Sequence, residues 1–315
     1  FRVEAGRDIL NLTVEAQHAD VANSESLVQA GRDIVFATGI QRTEDDHIHV
    51  GGPGTLDVVA GRDIDLGTSG GILSRGNTVN PALSATGADI RIAAGVGAGG
   101  VDYAAAIARL TASLQAGTPD DTTLWLARWL TGDDTLTAGD ALAVVQQVAA
   151  RDAAAQDQRV RDMLYAALRQ TGRDSLDAGS RYAADYARGY AALELVFPGI
   201  GDRDADGHFT TYQGDLNLFA SRIKTESGGN IEFMLPGGNL IAGLTNTPAA
   251  LVDVGNNVLG VVAVGPGDIE GFARGDMLVN QSRILTVGGG DVLLWSSEGD
   301  IDAGKGKKTA VAVPP

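Results

Sequence analysis

Ala-Gly-Arg-Asp-Ile stands three times in the first part of the chain, at Ala5–Ile9, Ala30–Ile34 and Ala60–Ile64. Looser copies follow as Gly87-Ala88-Asp89-Ile90, Gly214-Asp215-Leu216, Gly267-Asp268-Ile269, Gly290-Asp291-Val292 and Gly299-Asp300-Ile301. Each is a glycine turn, an Asp and a short run whose apolar residues fall two apart, as in Ile34 and Phe36 or Ile90 and Ile92. A period of two sends alternate side chains to opposite faces of a strand. A turn-plus-strand unit repeated along a chain marks a solenoid, in which each repeat buries its apolar face against its neighbours. The expected fold is mainly β: a right-handed parallel β-helix interrupted by an α-helical insertion.

The interval from Gly31 to Gly61 is longer than that from Gly6 to Gly31. The surplus falls on Gln41–His47, a polar run without periodicity that reads as an excursion from the coil. Gly51-Gly52-Pro53-Gly54 then turns the chain back. The Asp of each turn is short enough to accept a backbone N–H two residues on. Coils in register would also set Arg7, Arg32 and Arg62 beside the column of Asp residues.

From Asp102 to Leu195 alanine displaces glycine as the common small residue, and alanine is the best helix former. Tyr103, Ile107, Leu110 and Leu114 keep to one helical face, as do Leu126, Trp129 and Leu130, or Val160, Leu164 and Leu168. Further runs hold Leu142, Val145 and Val148, then Tyr182, Tyr186 and Leu193, before Phe197-Pro198-Gly199 ends the region. About four or five helices are expected. The organisation expected is 1–101 β coils, 102–197 helical insertion, and 198–315 further coils with a terminal tail.

The 315 residues carry a formal charge of −16 and no cysteine. Such a balance opposes nucleic acid and anionic membrane surfaces as partners, since both need clustered Lys and Arg. No apolar run reaches the ~18 residues of a membrane-spanning helix. The chain opens mid-repeat at Phe1-Arg2-Val3 without Met, which reads as a piece of something longer, with any export signal upstream.

Two stretches are more specific than the repeats. Gly214–Leu240 reads GDLNLFASRIKTESGGNIEFMLPGGNL, and Leu278–Pro315 reads LVNQSRILTVGGGDVLLWSSEGDIDAGKGKKTAVAVPP. With these the chain resembles the filamentous haemagglutinin family of very large bacterial exoproteins, above all its C-terminal conserved region. The resemblance implies a Gram-negative protein, secreted or held at the cell surface, with a β-helical shaft. It also implies export through an outer-membrane β-barrel transporter in two-partner secretion. Adhesion, biofilm formation and contact-dependent competition are the roles it brings with it, and no common catalytic residues.

Asp202-Arg203-Asp204-Ala205-Asp206-Gly207 matches the first half of a calcium loop, three carboxylates at alternate positions before a glycine. Asp202, Asp204 and Asp206 are the candidate Ca²⁺ ligands, with the carbonyl of His208 at the seventh position. Gln213 stands at the twelfth, where a bidentate Glu is usual, and a solvated acidic loop accounts for the same residues. His47-Ile48-His49 sets two imidazoles on one side of a strand, the start of a zinc or other transition-metal site that lacks a fixed third ligand.

Arg274-Gly275-Asp276 spells a tripeptide associated with integrin binding, although the repeat turn requires its Gly-Asp anyway. Trp125 lies off the Leu126–Trp129–Leu130 side and is the aromatic expected to be exposed for a glycan or protein contact. Asp63 with Asp65, or Asp300 with Asp302, would put two carboxylates on an outer face, the minimum for a glycosidase. Turn chemistry explains these without catalysis. The reading is a non-catalytic C-terminal segment of a large adhesin, meeting a host-cell or biofilm glycan or protein receptor, with the helical insertion as recognition element. The alternatives are a carbohydrate-active β-helix enzyme, and an anchoring or toxin-presenting region of a contact-dependent competition exoprotein.

Overall fold

Each Ala-Gly-Arg-Asp copy forms a corner between two strands. The structure, a computed structural model, describes residues 1–19, 24–39, 43–77, 80–245 and 259–304, without the side chains of 43–45. The basic tail from Lys305 lies outside the described residues, as do Gln41 and Arg42 of the expected excursion.

The first coil consists of β1 (Arg2–Ala5), β2 (Ile9–Leu10) and β3 (Thr13–Gln17). The second consists of β4 (Glu25–Ala30), β5 (Ile34–Val35) and β6 (Thr43–Gly51), and the third of β7 (Thr55–Ala60), β8 (Ile64–Asp65) and β9 (Ser69–Arg75). The fourth opens with β10 (Asp89–Ala94). It is interrupted by α1 (Tyr103–Gln115), α2 (Asp121–Thr131), α3 (Ala141–Ala149), α4 (Ala153–Leu176) and α5 (Ala187–Val196). It closes with β11 (Leu216–Asn217) and β12 (Arg222–Thr225). Then come β13 (Ile231–Leu235), β14 (Leu240–Ile241) and β15 (Gly260–Val264), followed by β16 (Ile269–Ala273), β17 (Met277–Leu278) and β18 (Arg283–Val287). The last described strands are β19 (Val292–Ser296) and β20 (Ile301–Asp302).

Three parallel sheets result, and the solenoid they line is not a closed barrel. Sheet A is β1-β4-β7-β10-β13-β16-β19, sheet B is β2-β5-β8-β11-β14-β17-β20, and sheet C is β18-β15-β12-β9-β6-β3. The Ile of the three exact copies begins a two-residue strand of sheet B, whereas Ile90, Ile269 and Val292 of the looser copies stand in the longer strands of sheet A. In the exact copies the longer strand lies before the turn, as in β7, where Leu56, Val58 and Ala60 face inward.

Inward rows stack like on like: Leu56, Ile90, Ile231 and Ile269 are in register and fully buried. Each such side chain contributes roughly 1.5–3 kcal/mol by leaving water. In the next row Phe233 faces Gly271, where a Cβ would overlap the Phe233 ring, so this inward position has no room for a side chain. Val292 and Ile301, inward in the last coil, remain 47% exposed because no further described coil stacks on them.

The signature Asp acts differently from the sequence expectation. Its carboxylate accepts a backbone N–H of the next coil rather than one two residues on in its own turn. Asp63 Oδ1 accepts from Asp215 N at 2.9 Å, and Asp215 Oδ1 from Asn239 N at 2.7 Å. Asn239 Oδ1 accepts from Asp276 N, and Asp276 Oδ1 from Asp300 N, both at 2.8 Å. A second ladder runs Asp89, Asn230, Asp268, Asp291. The own-turn bond occurs instead at Asp65, which accepts from Gly67 N, and at Asp302, which accepts from Gly304 N.

Arginines do sit beside the first ladder. Arg32 is paired with Asp8 one coil back, and Arg62 Nε donates to Asp33 at 2.9 Å. These guanidinium bonds are the main reason the Asp8 and Asp33 carboxyls lie below the usual range. The polar run before His47 is only partly an excursion. From Thr43 it belongs to β6, with a register shift between Thr43 and His47.

The chain divides into two units, Phe1–Gly100 with Tyr212–Pro315, and Val101–Thr211. The helical unit thus runs past Phe197-Pro198-Gly199 and takes in the acidic loop. Asp102, Asp120 and Asp152 cap α1, α2 and α4 by accepting the N–H groups of Ala105, Thr123 and Ala155. Ile107, Leu110, Leu126, Leu130, Val145, Val148, Leu164, Leu168 and Leu193 form its core. Arg109 on α1 donates to the carbonyls of Leu195 and Val196, closing the C-terminal end of α5.

Candidate functional site

The acidic loop is a short hairpin held by its own carboxylate. Arg203 and Phe209 form an antiparallel bridge, and the Arg203 guanidinium lies 3.8 Å above the Phe209 ring. Asp204 Oδ1 accepts the N–H groups of Asp206 and His208, both at 2.9 Å. The bond from the His208 N–H is the largest cause that lowers the Asp204 pKa. Asp204, Asp206 and His208 each bring a ligand atom within 4.8 Å of the others, all exposed.

Asp202, the fourth residue expected from sequence, lies outside this group. Its carboxylate lies over Gly199, where a Cβ would stand 2.8 Å from Oδ2. The His208 carbonyl, expected as a ligand, accepts from Asp204 N at 2.9 Å. Turn chemistry uses these groups in a way that needs no ion.

Arg274-Gly275-Asp276 is not an exposed tip. Arg274 is 4% exposed, and its guanidinium donates to the carbonyls of Tyr212 at 2.8 Å and Gly237 at 2.7 Å. Asp276 is a rung of the ladder, and the Gly275 N–H donates to the Gly238 carbonyl. A partner has no access to a guanidinium used in this way, so the tripeptide is structural.

Trp125 is half-buried rather than the exposed aromatic of its unit. Its ring meets Trp129 edge-on at 6.3 Å, and the guanidinium of buried Arg188 lies 4.5 Å above it. Arg188 also stacks 3.5 Å from the Tyr182 ring and pairs with Asp174. The exposed aromatics are Tyr186 and Tyr190, at 44% and 42%. Sequence periodicity put Tyr182 and Tyr186 on one helix with Leu193. Asp177-Ala178-Gly179-Ser180 instead ends α4 in a turn whose Asp177 accepts from Gly179 N, and Asp185 accepts from Ala187 N at the start of α5. That Asp-x-Gly pattern was the available signal.

His47 and His49 project from the outer face of β6 with their rings stacked 3.8 Å apart. Burial, then the charges of His47, Arg75 and Arg222, pushes the His49 imidazole down to about 3. The same charges oppose a bound cation, and among the described residues no metal-ligating group of three includes either histidine. The Asp63, Asp65 and Asp302 carboxylates named for glycoside chemistry are engaged with backbone N–H groups.

Among the described residues, no helix is long and apolar enough to cross a membrane. No curated protein and no solved structure matches the chain. A family model described as filamentous haemagglutinin family outer membrane protein matches residues 289–315. These residues hold β19, β20 and the basic tail, and they fall inside the Leu278–Pro315 stretch quoted above. Over those residues, and no further along the chain, the sequence is similar to the filamentous haemagglutinin family.

Proposed function

We propose that the chain is a non-catalytic β-helical segment of a large adhesin of the Gram-negative cell surface, with the helical unit as its recognition element. The coils wind right-handed, the sense that parallel crossovers take. Stacked coils make a stiff shaft, since each covers its neighbour's strand edges. The observation that carries the reading is where the helices enter. Ala94-Gly95 and Gly214-Asp215 are the two halves of one corner signature, and the helical unit is inserted between them. Coil four keeps its register with coils three and five on both sides of the interruption. A shaft has no need of these helices, so a role in contact with a receptor accounts for them.

Export through an outer-membrane β-barrel partner, and a glycan or protein receptor on a host cell or in a biofilm, belong to the same reading. The acidic hairpin with Asp204, Asp206 and His208 is its candidate Ca²⁺ contact. The test is binding to host cells and to a glycan array by the full chain and by a chain lacking residues 96–213, with calcium present and chelated. A second reading, an anchoring segment, is favoured by one observation: the family match falls on the last coil and is described as an outer membrane protein. It predicts association with the transporter through that coil.

A further inference from the structure

Coil seven supplies a strand to sheet A and a strand to sheet B, β19 on β16 and β20 on β17. Sheet C ends one coil earlier: among the described residues β18 pairs with β15 on one edge and with no strand on the other. A free edge exposes a row of N–H and C=O groups that a further strand can pair. Leu285 of β18 is 39% exposed there. The other members of sheet C, β15 and β12, carry fully buried Val261 and Ile223 between neighbouring strands.

The corner after β20 repeats two earlier ones. Leu216, Met277 and Ile301 share one row of sheet B, and three residues after each stand Phe219, Asn280 and Gly304. All three have left-handed backbone, with φ of 50°, 55° and 73°. A Cβ on Gly304 would overlap the Asn280 carbonyl, so the chain still follows the coil beneath it at that point. In coils four and six the sheet C strand starts six residues after the sheet B residue, at Arg222 and Arg283. The same step from Ile301 reaches Lys307, and Lys307–Val311 then falls opposite Arg283–Val287. Charge favours the same match. Residues 289–304 carry Asp291, Glu298, Asp300 and Asp302 and no Lys or Arg, whereas 305–315 carry Lys305, Lys307 and Lys308 and no Asp or Glu. A second copy set against β18 would bring another acidic end instead.

We propose that the free edge of β18 is a docking site for the chain's own segment Lys305–Pro315, which adds a parallel strand with Lys307–Val311 beside Arg283–Val287. In this register Lys308 and Ala310 take the inward positions over Ile284 and Thr286, the rows that hold buried Val261 and Ala263 one coil back. Ile284 is only partly buried against the core, and the apolar stem of Lys308 covers it while the ammonium reaches water at the uncovered end. An inward charge in the outermost layer also disfavours pairing with another chain. The inference concerns the coils alone and stands whether or not the helical unit recognises a receptor.

The chain has no cysteine, so one introduced pair can be followed without interference. Leu285→Cys with Thr309→Cys would set two Cα atoms about 4.8 Å apart, inside the roughly 4.4–6.8 Å that a disulfide spans. Leu285→Cys with Val313→Cys would set them about 14 Å apart. Under mild oxidation of the dilute full chain, the first pair is expected to close within one molecule at least about tenfold faster than the second. Thermal melts like that of the native chain verify the fold. Equal rates, or closure of neither pair, overturn the proposal. Disulfides that the first pair forms between molecules give the edge to a second copy and overturn it too. Amide exchange needs no cysteine: in a chain ending at Gly304, β18 is expected to exchange about tenfold faster while β13 is unchanged. Unaltered exchange in β18 overturns the docking.

Discussion

The carboxylate of Asp63 accepts the backbone N–H of Asp215 at 2.9 Å across 152 residues of sequence. Coil four therefore docks on coil three as if the helices were absent. A Cβ placed on Gly95 would stand 3.2 Å from the carbonyl carbon of Gln213, so the two sides of the interruption meet. Removing residues 96–213 joins Gly95 to Gly214 and rebuilds a corner, Ala-Gly-Gly-Asp-Leu, without a linker. The shortened chain should keep a β-type circular dichroism spectrum and one cooperative melt. Loss of the cooperative transition would make the helices part of the solenoid core.

The ladder works by hydrogen bonding, since Asn230 and Asn239 serve as rungs among the Asp residues. Asp215→Asn keeps the acceptor and should leave the denaturation midpoint nearly unchanged. Asp215→Ala orphans the N–H of Asn239 and should cost about 1–3 kcal/mol by chemical denaturation. Equal losses in the two variants would mean that charge, not the acceptor, holds the corner.

Position in the stack sets the cost of a buried charge. Ile231 is fully buried between coils, and Ile231→Asp should destabilise by about 4 kcal/mol or more. Val292 repeats the same inward position in the last described coil but is 47% exposed, so Val292→Asp should cost far less. Urea midpoints for the pair would separate the two, and similar losses would argue that a further layer covers Val292.

The buried imidazole of His49 makes stability depend on pH. An unfolded His takes a proton near 6.5, whereas His49 in the fold does so only at about 3. The unfolded state thus binds more protons between these values. The stability contributed is full above the unfolded pKa and drains as pH falls, by up to about 1.4 kcal/mol per unit. His18, also lowered by burial, acts in the same direction. The depressed Asp8 and Asp33 carboxyls lose their contribution only below about 4. The stability difference between the native chain and His49→Gln should therefore shift between pH 6 and 4.5, and a difference flat over that window would contradict the burial of this ring.

Much of the fold was legible because its cause is local. Ala-Gly-Arg-Asp-Ile fixes a corner and a direction, and the exchange of glycine for alanine after Asp102 marks the helices. The partner of the signature Asp was not legible, since a carboxylate reaches its own turn and the next coil equally well until register is known. Register also explains Arg274, which reads as a loop residue but is buried against Tyr212 and Gly237, and the sharing of Glu226 by Arg75 and Lys224, which come from coils separated by the helices. Trp125 was misread because the Arg188 that covers it lies on α5, beyond any helical period.

The most direct test of the proposed role is a side-by-side glycan-array and host-cell binding assay of the full chain and the folded chain lacking residues 96–213. Loss of receptor binding with the helical unit, the β fold intact, is the result expected of an adhesin that recognises its receptor through that unit. Undiminished binding by the shortened chain would contradict it and place recognition on the coils themselves.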